Sequence, residues 1–170
     1  MKQGTVSVLF GCHSIIHSVM VILAWKHLYG SMPQPWEAIC ILLHDIGHWG
    51  KQYLDNVEEK WHHGDLGAKI AGRLFGSRGY DLVMGHNAVL PSERSRLFKP
   101  DKYSWVMAPV SWMIISNFIE PKLVRPGCTR RESAIMFKNA MKESCDNGFT
   151  LMGHDIYLEQ WGIPKRIDNE

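Results

Sequence analysis

The sequence predicts an all-α protein, and two observations lead to this prediction. Apolar residues recur at intervals of three and four along most of the chain, the spacing of one face of a helix. Glycine and proline stand at the ends of these segments, as at Gly30 and Pro35, where one helix stops and the next begins. With 170 residues, 45% hydrophobic and 21% charged, the chain can bury a substantial core. One domain over residues 1–170 is therefore expected.

The first half of the chain predicts three helices. Residues 6–29 form the first, and Pro35 takes the first position of the second, which the apolar run carries through residue 48. Residues 50–61 are polar and without a period, so a loop is expected there. The third helix is expected over residues 62–76. Its buried side is expected to consist of Leu66, Ile70, Leu74 and Phe75.

The second half predicts three more helices. Residues 80–87 indicate a short fourth helix, and residues 88–101, with two prolines, indicate an irregular connection. Residues 101–119 are expected to form one long apolar helix kinked near Pro109, because proline removes a helical hydrogen bond. Residues 130–144 are amphipathic, with Ile135, Met136 and Met141 expected inward. Residues 121–170 are interpreted as a C-terminal helical extension of the same domain.

Composition and charge exclude few classes of function but point to the cytoplasm. The net charge of +2 gives no argument for a nucleic-acid partner. The four cysteines form no CxxC pair and are expected to be reduced, mostly buried thiols. The apolar stretch near the N-terminus is interrupted at Gly11, His13 and His17, and its last clean run, residues 18–25, is far shorter than the roughly 20 residues of a membrane span. No membrane association is expected.

The run ILLHDIGHWGK, residues 41–51, ends an apolar segment with a histidine beside a carboxylate. A single buried histidine is more often a satisfied core residue than a ligand. This chain, however, carries an ordered set of histidines and aspartates at predicted helix ends and on one helix face. The set is His17, His44, Asp45, His63, His86 and Asp101. Imidazole and carboxylate ligands together suit first-row transition metals, so a metal site is expected.

The same ordered set resembles the HD superfamily of metal-dependent phosphohydrolases. Five segments match its motifs in order: HSVMVILA, ILLHDIGH, HGDLGA, MGHN and PDKYS, within residues 13–120. The run HDIGHWGK with the later KPDKYSWVMAP also resembles a subgroup of phage and bacterial HD proteins. The resemblance implies an HD-type helical bundle. A second His-Asp pair, at His154, is interpreted as accidental.

The resemblance implies a centre of two divalent transition-metal ions, with iron, manganese, zinc, cobalt and nickel all compatible. It assigns His17, His44 and Asp101 to one ion, and it makes Asp45 the bridge between the two. The second ion is assigned to His63 and His86. Two alternatives stay open at this point, since His13 competes with His17 and His62 competes with His63.

The resemblance further implies cleavage of a phosphate ester or anhydride by metal-activated water. Beside the catalytic Asp45, Lys51 and Lys102 are expected to act in catalysis, because one follows the His-Asp motif and the other adjoins Asp101. Arg94, Arg96 and Lys99 are expected to bind the substrate's phosphates. The small size of the chain favours a small anionic, nucleotide-like substrate over a nucleic-acid polymer.

Two other classes of function fit the same residues. Some HD relatives use such ligands around a di-iron centre to oxidise small molecules, so an oxygenase is one alternative. A non-catalytic nucleotide-binding HD module is the other, although such modules usually lack some of the ligands. Several tryptophans could stack on a nucleobase, but core packing is their commoner role. An oligomer is possible, and the role of His48 is left open among acid, ligand support and helix cap.

Overall fold

The computed structural model describes residues 1–52, 62–88, 91–121 and 124–149. All regular secondary structure in these ranges is helical, which confirms the all-α prediction. The α-helices are α1 (Gln3–Phe10), α2 (Ile15–Tyr29), α3 (Pro35–Leu43), α4 (Gly64–Phe75), α5 (Ser77–Met84), α6 (Phe98–Met107), α7 (Val110–Ile119) and α8 (Arg130–Asp146). Single 3₁₀ turns follow at Ile46–His48, Gly85–Asn87 and Pro91–Glu93.

The predicted first helix is two helices, α1 and α2, which meet at an angle of 54°. The break falls at Gly11, where the backbone leaves the helical region (φ −99°, ψ −148°). The carboxylate of Glu120 accepts a hydrogen bond from the Cys12 N–H at 2.6 Å there. A side chain at position 11 would collide with this carboxylate, since a Cβ would lie 2.1 Å from Oε2. A buried carboxyl group therefore fixes the bend.

The predicted second helix is also shorter than expected at its C-terminal end. Its start is as predicted, with Pro35 at the first position and the Gln34 N–H donating to the Glu37 carboxylate at 2.7 Å. The α-helix stops at Leu43, and Asp45 (φ −99°, ψ 3°) begins a 3₁₀ turn. The helical run to residue 48 was wrong because two glycines follow closely and weaken it.

Small residues, not the predicted leucines, form the buried face of α4. The side chains of Leu66 and Leu74 are 44% and 58% exposed, whereas Gly67, Ala68 and Ala71 are buried. A Cβ on Gly67 would lie 2.2 Å from the Leu43 carbonyl oxygen, so α4 crosses the end of α3 at backbone contact. This close approach brings the start of α4 to the residues that follow α3.

The long predicted helix of residues 101–119 is likewise two helices. Ala108 adopts an extended conformation (ψ 134°) before Pro109, because the residue before a proline is driven out of the helical region. The first piece, α6, begins at Phe98, inside the stretch predicted to be irregular, and α5 begins earlier than expected, at Ser77. In α8, Met141 is buried and Met136 is half-buried, but Ile135 is 37% exposed and was wrongly predicted inward.

Three apolar clusters hold the described helices together. The largest joins α2, α3, α4 and α5 and contains Val21, Trp25, Cys40, Ile41, Ala68, Ala71, Leu82, Val83 and Leu97. A second joins α7 and α8 and contains Ala108, Trp112, Met113 and Ala134. A third joins α6 to the end of α8 and contains Phe98, Cys145 and Phe149. Within the described residues, no individual helix is both long enough and apolar enough to cross a membrane. The bent pair of α1 and α2 meets these two criteria only when both helices are counted together.

Candidate metal centre

The six predicted ligands come together in the interior of the protein, although five different segments supply them. One lies on α2, two follow α3, one precedes α4, one follows α5 and one lies on α6. Their exposed fractions are 2% for His17, 0% for His44, 6% for Asp45, 9% for His63, 0% for His86 and 5% for Asp101. So many polar side chains are buried together only where hydrogen bonds or a bound ion compensate for lost water.

Three of the six form a first group around His17. Its Nε2 lies 3.1 Å from Oδ1 of Asp101 and 3.3 Å from Nε2 of His44. The same Asp101 oxygen is 3.7 Å from Nε2 of His44. These donor atoms are mutually close enough to bind one ion, and all three side chains are buried.

The other two histidines form a second group on the far side of Asp45. Nε2 of His63 lies 2.8 Å from Nε2 of His86. Oδ1 of Asp45 is 3.5 Å from the former and 3.9 Å from the latter. Two ring nitrogens this close need a proton or a cation between or beside them, because two lone pairs repel.

Asp45 divides its two oxygens between the groups. Oδ1 faces the second group, while Oδ2 lies 3.1 Å from Nε2 of His44 and 3.4 Å from that of His17. Oδ2 is fully buried and has no hydrogen-bond donor in the described part of the chain. A buried carboxylate oxygen without a donor is costly, and a cation would satisfy it. Asp45 thus lies between the two groups and presents one oxygen to each.

Backbone and hydroxyl oxygens orient the ligand histidines. Nδ1 of His44 donates to the Ile41 carbonyl at 2.5 Å, and Nδ1 of His86 donates to the Val83 carbonyl. A carbonyl oxygen can only accept a hydrogen bond, so the Nδ1 atom of each ring carries a proton. The Nε2 atom of each ring then faces the cluster. Hydrogen-bonded support of this kind is usual for metal-binding histidines.

Ser104 has the same supporting role for His17. Its hydroxyl donates to the Asp101 carbonyl oxygen at 2.6 Å, which leaves the hydroxyl oxygen to accept from Nδ1 of His17 at 3.4 Å. Trp105 stacks on the His17 ring with centroids 4.8 Å apart. The helix α6 therefore supplies Asp101, the hydrogen-bond partner Ser104 and the aromatic ring of Trp105, which packs on His17.

The carboxylates and histidines of this cluster shift one another's pKa values. Burial opposes the charge on His44, but Asp45 and Asp101 outweigh it and raise the pKa of His44 to about 10. Burial alone would raise the pKa of Asp45, yet His44 and the other histidines hold it well below its usual range. The pKa of His86 is lowered by burial and by His63. Cation binding is therefore expected to displace a proton from His44.

Of the five predicted basic residues, Lys102 is the one that contacts a ligand. Its Nζ lies 2.7 Å from Oδ2 of Asp101, and the Lys102 side chain is 15% exposed. With burial opposing it, Lys102 is the main cause that holds the pKa of Asp101 well below its usual range. This ion pair also turns the other Asp101 oxygen towards His17.

The remaining basic residues have contacts elsewhere in the described structure. Arg96 pairs with the buried Glu37 at 3.4 Å and lies over the Trp25 ring. Arg94 donates to the Phe149 carbonyl at 2.9 Å, and Lys99 lies 5.5 Å from the Phe149 ring. None of these contacts is with the six ligands.

The backbone of Lys51 makes hydrogen bonds beside the site. Its N–H donates to the carbonyl of His48, and its carbonyl oxygen accepts from the Gly4 N–H at 3.1 Å. These bonds tie α1 to the 3₁₀ turn that follows Asp45. The side chain of Lys51 is half-buried.

The two competing histidines are placed differently from each other. His62 has a side chain that is 64% exposed and pairs with Asp65 at 3.3 Å, outside the cluster. His13 lies beside the cluster, with its ring 6.3 Å from that of His17 and 4.1 Å from that of His48. The second His-Asp pair, at His154, lies outside the described residues.

Sequence reasoning missed the residues that support the ligands. Ser104 is three positions after Asp101, so helical spacing could have placed both on one face. Glu120 directly follows an apolar helix, as Asp45 nearly does, and that pattern could have marked it. Nothing local marks Ser7, whose hydroxyl oxygen lies 2.7 Å from Nδ1 of His13.

No protein-family model, no curated protein and no solved structure matches this chain. The fold and the site alone define its class: regular structure is helical throughout the described residues, and buried histidine and aspartate clusters there could hold metal ions.

Proposed function

We propose that the protein is a metal-dependent phosphohydrolase of the HD type, with two divalent transition-metal ions bridged by Asp45. The observation that carries the proposal is the division of the Asp45 oxygens between two separate groups of ring nitrogens. The order of the six ligands along the chain, which resembles the HD superfamily, supports the same assignment.

The donor set fits such ions. Four imidazoles and two carboxylates are ligands that iron, manganese, zinc and cobalt accept, whereas magnesium and calcium prefer all-oxygen sets. The donorless Asp45 Oδ2 and the inward-turned Nε2 atoms of His44 and His86 both favour a cation. When bound, a pair of ions lowers the pKa of water towards about 7 and neutralises phosphoryl oxygens.

The chain's own groups prepare the site for an anionic substrate. Lys102 keeps Asp101 ionised and still has N–H donors beyond its ion pair, which can bind a phosphoryl oxygen at the edge of the cluster. Burial of the six ligands excludes bulk water, and this strengthens each electrostatic contact with a phosphate. Hydrolysis then joins the oxygen of one water to phosphorus, breaks the bond to the leaving oxygen and ends with that oxygen protonated.

A small nucleotide-like molecule is the proposed substrate. Among the tryptophans considered for stacking on a base, Trp25 is buried, and Trp105 is already stacked on His17 and on Trp112. Trp49 is 49% exposed and directly follows His48, so it is the best-placed described candidate for a base contact. An aromatic face accepts any base, which agrees with a site that recognises phosphate first.

Phosphate release from a panel of nucleotides, with manganese, iron, cobalt, nickel and zinc supplied in turn, tests the proposal. Wild type and Asp65→Asn are expected to release phosphate or a nucleoside product, and Asp45→Asn is expected to be inactive. Asp65 is a matched control because it is an aspartate near the site that pairs only with exposed His62 in the described structure. Two bound ions with no hydrolysis of any substrate would contradict the proposal, and oxygen uptake by the iron form would favour the oxygenase instead.

A further inference from the structure

Two histidines outside the six-ligand set lie against it. His48 is 4% exposed, and its ring stacks on that of His63 with centroids 4.7 Å apart and planes 10° apart. The ring of His13 lies next to that of His48, with centroids 4.1 Å apart. Three imidazoles therefore stand in a row beside Asp45.

The donor atoms of this row meet the requirement for a shared ion. One ring nitrogen of His13, one of His48 and a carboxylate oxygen of Asp45 all lie within 4.8 Å of one another. The side chain of His48 is more than nine-tenths buried, and its ring lies against those of His13 and His63. A buried imidazole needs a hydrogen-bond partner or a cation, and an ion at this point would meet that need.

His13 is oriented in the same way as the ligands already described. Its Nδ1 lies 2.7 Å from the Ser7 hydroxyl oxygen and 3.1 Å from the Cys12 Sγ. With Nδ1 engaged in this way, Nε2 is the ring nitrogen left for an ion. Three ligands of the main centre, His17, His44 and His86, show this arrangement, with Nδ1 held by an oxygen.

We propose that His13, His48 and Asp45 form a third cation position beside the two-metal centre. The position takes a divalent first-row ion, because two of its three ligands are imidazoles. It rests on the proposed function, since Asp45 is shared with the other two ions. It has no carboxylate of its own, so it is the last of the three to fill.

The neighbouring thiol orients this position and does not bind the ion. Cys12, His13 and Glu120 also form a compact group of donors. However, the Cys12 N–H donates to Glu120 at 2.6 Å and its thiol points to the other oxygen of the same carboxylate at 3.6 Å. The same Sγ lies 3.1 Å from Nδ1 of His13, whereas the proposed ion is assigned to Nε2. The thiol therefore supports His13 and is not assigned as a ligand.

Equilibrium titration of the metal-free full chain with cobalt(II), followed by elemental analysis, tests the third position. Wild type is expected to bind three ions, the last most weakly, while His13→Gln and His48→Gln are each expected to bind two. His62→Gln is the matched control, because its exposed side chain adjoins the site without facing it, and it should still bind three. Glu120→Gln is expected to weaken only the third ion, by ~10–100-fold, as loss of hydrogen-bonded ligand support usually does.

Each failure has a distinct result. Two ions on wild type and two on His48→Gln would overturn the third position and leave the two-metal centre intact. Fewer than two ions on wild type would overturn the proposed function. If circular dichroism shows that His48→Gln is unfolded, the number of ions bound by wild type and the titration of Glu120→Gln decide, since the proposal requires a third ion in both proteins. A thiolate-to-cobalt absorption band in the near ultraviolet would contradict the ligand assignment.

Discussion

Asp45 is the residue on which the proposed metal site depends most. Its carboxylate is 6% exposed, its two oxygens face different pairs of histidines, and one oxygen has no hydrogen-bond donor among the described residues. A structural aspartate would instead be expected to accept hydrogen bonds at both oxygens. The proposed two-ion site therefore rests on the geometry of this one side chain.

Replacing Asp45 by alanine is expected to abolish metal binding at both positions and any hydrolysis that depends on it. The helical fold should persist, because the apolar clusters do not include this residue. Metal content, phosphate release and circular dichroism measure the three effects. His154→Ala, in the second His-Asp pair, should behave like wild type. If His154→Ala lost the activity and Asp45→Ala kept it, the site would be elsewhere.

The ligands should divide by ion when they are removed one at a time. His63→Ala and His86→Ala are each expected to leave one tightly held ion, since both face Oδ1 of Asp45, the oxygen that belongs to the second group. His17→Ala should weaken the other ion, because it faces Asp101 and Oδ2 of Asp45. Metal stoichiometry after identical dialysis measures this. Full two-ion occupancy in His63→Ala and His86→Ala would mean that these histidines do not bind a metal.

At the level of single residues, the sequence predicted which side chains would meet but not how they are supported. The ordered histidines and aspartates were recognisable because ligands recur at helix ends, where spacing is informative. The hydrogen-bond partners Ile41 and Val83 were not predictable in that way, because both act through backbone carbonyls, whereas Ser104 could have been found from its spacing to Asp101. His13 and His17 were expected to share one helix face, but His13 precedes α2, in the bend that begins at Gly11, and only His17 lies on the helix.

At the level of elements, three short breaks place the ligands. The bend before α2, the 3₁₀ turn after α3 and the extended Ala108 all interrupt segments that hydrophobic periodicity predicted to be continuous. Periodicity reports which residues are buried over several turns, and it is insensitive to a break of two or three residues. The breaks come from particular contacts, such as the Glu120 carboxylate at Gly11, which connect distant parts of the chain.

The contact between the 3₁₀ turn and the start of α4 gives an element-level prediction. A Cβ on Gly47 would lie 1.7 Å from the His63 carbonyl oxygen, so Gly47→Ala must push α4 away from Asp45. The second ion is expected to bind more weakly, by tenfold or more, while the first is little affected. Separate binding constants from a cobalt titration measure this.

Gly50→Ala is the control for that change. Gly50 has a positive φ of 79°, but an added Cβ meets no atom within 4 Å. Its substitution should cost about 1–2 kcal/mol of stability through backbone strain while leaving both binding constants unchanged. Equal loss of both ions in Gly47→Ala and Gly50→Ala would mean that general destabilisation, not displacement of His63, is responsible.

At the level of the whole molecule, the ligands come from five segments that no local signal joins. His17 and Asp101 are 84 positions apart, yet their side-chain atoms are 3.1 Å apart. The packing of α2 to α5 around Trp25 and Ile41 holds the ends of these helices at one point. The all-α class followed from composition and periodicity, whereas this convergence was expected only from the resemblance to HD proteins and depends on long-range packing.

The most direct test of the central claim is the metal content of the wild-type protein purified without a chelator. Elemental analysis is expected to find about two tightly held transition-metal ions per chain, because six buried ligands are divided by Asp45 into two groups. A third ion should appear only when metal is added in excess. A folded protein that contains no metal and binds no added manganese, iron or zinc would contradict the assignment of these residues as a metal centre.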